Sequence, residues 1–190
     1  MARQNDKRIR LVKGADQLFY QQGINTTTLA DIAGLADVPL GNVYYYFKSK
    51  ESIILAVIEN RLQVLQQLLD ELNNNFSNPK ERLKALLKQF VADQETITKF
   101  GDPLGSLCLE LGKQPGELHV AVSDLMQKLI SWCEVQFNAL NISKSTTAKQ
   151  LAMNFIASIQ GISLLGITFK NLNNLEEHSK FLINWLDQIA

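Results

Sequence analysis

An all-α fold is predicted by three features of this 190-residue chain. Apolar residues recur three and four positions apart along nearly its whole length, the spacing of helices that bury one face. Clean alternation of apolar and polar residues never runs beyond a few positions, so strand signals are almost absent. Gly, Pro, Asn and Ser interrupt the helical pattern often enough to divide it into about nine helices. Composition agrees: 46% hydrophobic and 20% charged residues support a buried core and exclude general disorder. Two cysteines are too few for a secreted disulfide scaffold.

The first helix is expected from about Asp6 to Gln22, with Ile9, Val12, Ala15, Leu18 and Phe19 on its buried face. Gly23 ends it, and one of Thr26, Thr27 and Thr28 caps a short second helix holding Leu29, Ile32, Ala33 and Ala36. Pro39 suits the first turn of a third short helix that ends near Tyr46. Ser49 caps a longer helix from Lys50 to about Leu72, before a polar loop through Asn73–Asn75 and Ser77-Asn78-Pro79. Further helices are expected over about Lys80–Phe100, Leu104–Leu111, Glu117–Leu140, Ser143 (as cap) to Phe169, and Leu175–Ile189. Within Glu117–Leu140 the apolar positions 118, 122, 125, 129, 132, 133, 137 and 140 form one stripe.

Net charge is zero, with 19 basic and 19 acidic residues, which excludes a wholly basic nucleic-acid binder. Residues 1–51 nevertheless hold seven basic side chains against five acidic ones, the sign expected where a domain meets DNA. The start MARQNDKRIR has no apolar core and is not a secretory signal, so a cytoplasmic location is expected. Leu151–Ile167 is apolar enough to suggest a membrane span, but Asn154, Ser158, Gln160 and Ser163 interrupt it, and no membrane partner is expected.

Two short helices after a longer one make a helix-turn-helix candidate. The residues that sharpen it are Leu18-Phe19, Gly23, Thr27-Thr28-Leu29, Asp31-Ile32-Ala33, Ala36 through Phe47, and Lys48-Ser49-Lys50-Glu51. In this order and spacing, about residues 9–58 resemble the N-terminal domain of the tetracycline-repressor (TetR) family. The resemblance implies residues 1–50 as a helix-turn-helix DNA-binding domain and 51–190 as a helical bundle for ligand binding and dimerisation. It implies a ligand-responsive transcriptional regulator, a repressor released from a palindromic double-stranded operator by a small apolar effector. The alternatives are an activator or a protein-interaction module of the same fold.

In a recognition helix a few N-terminal side chains reach base edges in the major groove. Here those are Leu40, Gly41 and Asn42, of which Asn42 can offer its amide to an adenine and the other two only apolar or close contacts. Tyr44, Tyr45, Lys50 and the hydroxyls of Thr27 and Thr28 are candidate phosphate or sugar contacts, although Thr27 can equally be structural. The resemblance places Tyr44 and Lys50 on the DNA backbone. Val43 and Phe47 are core by spacing, Tyr46 is either core or DNA contact, and Arg3, Lys7 and Arg8 are either a solvated tail or a DNA arm. Many relatives carry a polar or basic residue where this chain has Ala30, so its footprint is expected to lean on the tyrosines.

The segment 143–169 is apolar on more than one face, and the last helix carries a second apolar stripe. Both suggest a homodimer through a four-helix interface. An effector pocket is expected within the bundle, with Phe90, Gln94, Leu104, Leu107, Cys108, Leu111, Trp132, Phe137, Phe155 and Gln160 as lining candidates, although residues of each kind are more often plain core than pocket. The stretch Pro103–Leu111, with Ile159-Gln160-Gly161, resembles a subgroup that answers to drug-like or xenobiotic compounds. Cys108 and Cys133 read as buried thiols, with a redox or electrophile sensor as the sharper alternative. His119 and His178 lack ligand-spaced partners, so neither metal nor cofactor is expected. Paired carboxylates, a nucleophile with a nearby base and a phosphate-cradling loop are all missing from the sequence, and no enzyme is expected.

Overall fold

The computed structural model describes residues 2–113, 115–142 and 146–189. Among them are ten α-helices and no strand: α1 Ala2–Gln22, α2 Leu29–Leu35, α3 Leu40–Tyr46, α4 Lys50–Asn75, α5 Pro79–Ala92, α6 Gln94–Phe100, α7 Pro103–Leu111, α8 Glu117–Ala139, α9 Ala148–Phe169 and α10 Leu172–Ile189. They divide into two compact units. The first comprises Met1–Val64 with Ser106–Leu125, the second Leu65–Gly105 with Met126–Ala190. The division therefore falls within α4, not at residue 50, and the first unit recruits a distant stretch of chain that the sequence reading placed in the bundle.

The first unit is built on α1. Leu11, Val12, Ala15 and Phe19 are buried, along with Ile32 and Ala33 of α2, Val43 of α3 and Ile53, Ile54 and Val57 of α4. Ile9, expected on the buried face, is 44% exposed, and Leu11 takes that place at 0%. Arg61 of α4 ties back to α1 by donating Nε and Nη2 to Asp16 Oδ1, both at 2.6 Å. Such charge-assisted bonds are stronger than neutral ones, and this pair is largely shielded from water.

The second unit contains a larger core. Leu69, Leu83, Leu87, Cys133, Phe155, Leu175 and Leu186 are among its most buried members. Three aromatic rings meet inside it: Phe137 lies edge-on to Phe155 with centroids 5.9 Å apart, and Trp185 stacks on Phe155 at 6.4 Å. The expected stripe on α8 is buried at Val122, Leu125, Leu129, Cys133 and Phe137, while Val120 and Val135 face out.

Caps explain where these helices stop. The helix α4 continues through Asn73–Asn75 because Arg82 serves its end, donating Nη2 to Asn73 O at 3.1 Å and Nε to Phe76 O at 2.7 Å. Asn78 then caps α5 through Lys80 N, with Pro79 at the first position, where its missing N–H costs nothing. The single helix expected over Lys80–Phe100 is two: Asp93 leaves helical geometry at ψ 51° and its carboxylate accepts Thr96 N–H, starting α6. An internal aspartate that caps the next turn competes with helix continuation, and here it wins. Thr147, not Ser143, caps α9, in a reciprocal box with Gln150; Ser143 lies outside the described residues. Lys170 closes α9 in the left-handed conformation and donates Nζ to Thr98 O and Lys99 O at the end of α6.

By length and composition α9 could cross a membrane, yet 44% of its apolar window is buried inside the protein. Its buried face runs through Leu151, Phe155, Ile159 and Ile162, and Met153, Leu164, Leu165 and Phe169 are exposed. Replacing Phe155 with alanine empties the centre of the aromatic cluster. Phe155→Ala is expected to destabilise the protein by about 3–5 kcal/mol, read as a lower midpoint in urea unfolding.

Candidate nucleic-acid interface

The site begins with the turn after α1. Gly23 takes φ +88°, a conformation costly for residues with a Cβ. Thr27 is fully buried and donates its hydroxyl to Gly23 O at 2.7 Å while accepting from Gln22 Nε2 at 3.2 Å. That corrects the expectation for Thr27: its hydroxyl holds the turn and is out of reach of a phosphate. Thr28, in contrast, is exposed and is the N-cap of α2. Its Oγ1 accepts Asp31 N–H at 3.1 Å, and Asp31 Oδ2 accepts both Thr28 N–H at 2.8 Å and the Thr28 hydroxyl at 2.7 Å. The Thr28 hydroxyl, then the Thr28 amide, hold the Asp31 carboxyl below its ordinary value.

Between α2 and α3 the chain makes a Schellman turn. Val38 N–H reaches Ala33 O at 3.0 Å and Asp37 N–H reaches Gly34 O at 3.2 Å. Asp37 occupies the left-handed position at φ +50°, where glycine is usual. Its carboxylate meets Arg10 at 3.5 Å in an exposed pair, which offsets little of that cost. Sequence inspection missed this role, although an Asp three residues after Gly34 and before a buried Val is a readable signal.

Pro39 is the N-cap of α3, one position earlier than expected, with no side-chain cap of its own. Two residues of α3 and its end anchor it: Val43 is 0% exposed and Phe47 3%. Their burial turns the opposite face outward, with Leu40, Tyr44 and Tyr45 exposed at 43%, 52% and 65%. Gly41 is exposed as well, and a Cβ built there meets no atom within 4 Å, so nothing inside the chain requires glycine. Asn42 is half-buried. Tyr46 is also half-buried, and its ring stands edge-on to Tyr45 with centroids 5.0 Å apart. Arg8, one of the arm candidates, lies 5.4 Å above the Phe47 ring in a cation–π contact.

Immediately after α3, Ser49 and Ser52 cap the start of α4 reciprocally, each hydroxyl accepting the other's N–H at 3.3 Å. Lys50 is half-buried in the first turn, and Lys48 is exposed with Nζ near Tyr44 O at 3.4 Å. Backbone N–H donation and the Ser49 hydroxyl hold the Glu51 carboxyl below its ordinary value, as expected of an acid at a helix N-terminus. The exposed DNA candidates Leu40, Gly41, Thr28, Tyr44 and Tyr45, with the partly covered Asn42 and Lys50, thus fall at the start of α2, along α3 and at the start of α4, all within one unit.

The pocket candidates are dispersed. Leu107, Cys108 and Leu111 belong to the first unit, and Phe90, Gln94, Leu104, Trp132, Phe137, Phe155 and Gln160 to the second. Phe137 and Phe155 fill the aromatic cluster, and Phe90, Leu104 and Trp132 pack on the same core. Trp132 donates Nε1–H to Asn73 Oδ1 at 3.2 Å. Gln160 donates to Asp102 Oδ2 at 3.0 Å, and its Oε1 occupies the place a Cβ on Gly105 would take, so a larger residue there would have to displace the Gln160 amide. Gln94 keeps a buried Oε1 that no atom of the described residues serves. A groove in the first unit, between α1 and α4, is lined by Arg8, Ile9, Val12, Ala56, Glu59, Asn60 and Gln63 and includes none of these residues. Cys108 is half-buried with Sγ 3.9 Å from Val122 O. Cys133 is fully buried, and that burial alone pushes its thiol up, which disfavours the thiolate. Among the described residues no cluster of three His, Cys, Asp or Glu could hold a metal ion.

A short helix buried at Val43 and Phe47, presenting its N-terminal half to solvent after a tight turn from α2, defines a helix-turn-helix transcriptional regulator. Comparison with known proteins makes this specific. Residues 11–57 match the family model of bacterial regulatory proteins, tetR family. An HTH-type transcriptional regulator encoded in the lacX 3' region of Lactococcus lactis subsp. lactis is 29% identical over 183 residues, covering 95% of this chain and 93% of its own. The HTH-type transcriptional repressor NemR of Escherichia coli is 29% identical over 129 residues, 66% of this chain and 62% of that one. A crystal structure of a TetR transcriptional regulator from Chloroflexus aurantiacus shares the fold with a TM-score of 0.87 at 21% identity, covering 99% of this chain and 98% of the other. Residues 11–57 thus match the DNA-binding segment of the tetR family, and over nearly its whole length the chain is similar to an HTH-type transcriptional regulator.

Two outcomes follow for the turn elements. Thr28→Ala removes the cap of α2 and is expected to cost about 1 kcal/mol. Since Asp31 has a lowered carboxyl pKa, its contribution is present above the ordinary value and lost as pH falls through the lowered one. In Thr28→Ala that carboxyl should titrate closer to its ordinary value, followed by NMR of the Asp31 side chain. Asp37→Gly removes the left-handed strain for the loss of one exposed ion pair, and is expected to stabilise by about 1 kcal/mol, seen as a higher thermal midpoint.

Proposed function

We propose that this protein is a dimeric repressor that binds a pseudo-palindromic operator and is released by a small, mainly apolar effector. The observation that carries the reading is the outward face of α3. Leu40 and Gly41 are at its start, where a recognition helix meets base edges, and Gly41 leaves open space that a base pair can approach closely. Asn42 is the one residue there able to read a base by a paired hydrogen bond, to adenine. Tyr44 and Tyr45 follow with exposed rings suited to phosphate and sugar, and Lys50 and Thr28 add backbone contacts from the flanking helix starts. A location with the DNA, in the cytoplasm of a bacterial cell, accompanies this role.

The exposed apolar residues of the second unit support a dimer. Met153, Leu164, Leu165 and Phe169 on α9 and Phe181 on α10 are more than single scattered hydrophobes, and a two-fold packing of these two helices would cover them. Two recognition helices then read two half-sites. The TetR-family regulators typically work as such dimers with small-molecule effectors. For this chain a drug-like or xenobiotic effector is proposed, with its site in the bundle around Phe90, Gln94, Leu104, Trp132 and Gln160. The buried, unserved Oε1 of Gln94 supports that placement, because a ligand donor would satisfy it. Release requires the effector to favour one of two states by a few kcal/mol.

Selection of bound duplexes from genomic DNA by the purified protein tests the reading, and a palindromic motif is the expected result. On the selected duplex, Tyr44→Phe and Lys50→Ala should bind more weakly while unfolding at the same temperature as wild type. In Lys50→Ala the slope of log affinity against log salt should become shallower by about two for a dimer that loses one phosphate contact in each half. Unchanged affinity in both variants would remove these residues from the interface.

A further inference from the structure

Ile24 follows Gly23 in the turn between α1 and α2 and is 5% exposed. Other polar groups of this turn find partners close by in sequence: Gly23 N–H donates to Phe19 O at 3.0 Å, and Thr27 N–H to Ile24 O at 3.3 Å. The Ile24 N–H is served from elsewhere. It donates to Glu110 Oε2 at 2.7 Å, from α7, 86 residues further along the chain. The same carboxylate approaches Gly23 so closely that a Cβ there would stand 3.3 Å from Oε2.

We propose that Glu110 is a positioning residue for DNA binding, a latch whose carboxylate holds the α1–α2 turn and, through it, the start of α2. The proposal rests on the DNA-binding reading above. Its logic is one of hydrogen-bond satisfaction. Withdrawing Glu110 leaves a buried backbone N–H without an acceptor, which the turn can relieve only by opening to water. The turn cannot open alone, because the Ile24 carbonyl accepts from Thr27 N–H and Thr28 caps α2 next in the chain. A shift at Ile24 therefore displaces the cap of α2 and the helix pair that presents Tyr44 and Tyr45. DNA affinity therefore depends on a residue of the same unit that lies far outside the helix-turn-helix in sequence.

The test compares full-length wild type, Glu110→Ala and Glu110→Gln. The probe is a duplex selected by wild type from a random-sequence pool, titrated by fluorescence anisotropy at several salt concentrations. Amide hydrogen exchange is followed in the DNA-free proteins. Glu110→Ala should bind about tenfold more weakly, with the same salt slope, because no phosphate contact is lost. Its Ile24 and Thr27 amides should exchange about tenfold faster. Glu110→Gln retains an acceptor oxygen and should stay close to wild type in both measurements. If the alanine variant does not fold, Glu110→Asp keeps the charge but retracts the acceptor by one methylene, and should show the weaker binding in its place. Unchanged exchange at Ile24, or wild-type affinity in the variants that lose the acceptor, overturns the latch. Equal impairment in Glu110→Gln also overturns it, since charge would then matter instead of the acceptor. A wild-type protein that selects no duplex overturns the DNA-binding reading and the latch together. That outcome is distinct from one in which wild type and Glu110→Ala bind equally.

Discussion

Seven residues make about two turns of helix, too few to persist alone in water, and both α2 and α3 are that long. Everything the interface does depends on their being held by something else. That support is α1, whose Leu11, Val12, Ala15 and Phe19 are buried while α1 packs on α2 and α2 on α3. Burial of Val43 and Phe47 then decides the rotation of α3 about its own axis. Because those two positions lie four apart on one face, Leu40, Tyr44 and Tyr45 on the other side are turned outward and become available to a partner.

Hydrophobic burial sets which face is inside, but polar groups set where each short helix begins and ends. Thr28 with Asp31 starts α2, a Schellman turn ends it, and the serine pair Ser49 and Ser52 starts α4. In elements this short nearly every backbone group lies in a terminal turn, so caps account for much of the geometry. The left-handed Asp37 and the buried Thr27 hydroxyl are parts of this framework and not of the contact surface.

The bundle partitions its apolar residues differently. The helix α9 is apolar around most of its circumference, and the second-unit core uses only one side of it. Leu164, Leu165 and Phe169 remain in solvent, as does Phe181 on α10. Apolar positions in excess of what one chain can bury were visible in the sequence. How they divide between core and surface was not, because a helix with no polar stripe has no sequence-encoded inside.

Helix order, a threonine cap before α2, the serine cap at Ser49, the buried pair Val43 and Phe47, and the family resemblance were legible in the amino-acid sequence, while the choice of Thr28 among three threonines was not. Each of these is local: a periodicity, a hydroxyl next to a helix start, or a run of residues in fixed register. Tertiary structure decided what rests on distant partners. It exchanged Ile9 for Leu11 on α1, ended α5 at Asp93, buried Thr27, and placed Glu110 on the amide of Ile24. It also dispersed the pocket candidates over two units and packed Phe137 and Phe155 into a filled core. An apolar residue at helical spacing has the same local pattern whether it lines a cavity or fills one. Which of the two it does depends on side chains tens of residues away, and no local pattern encodes that.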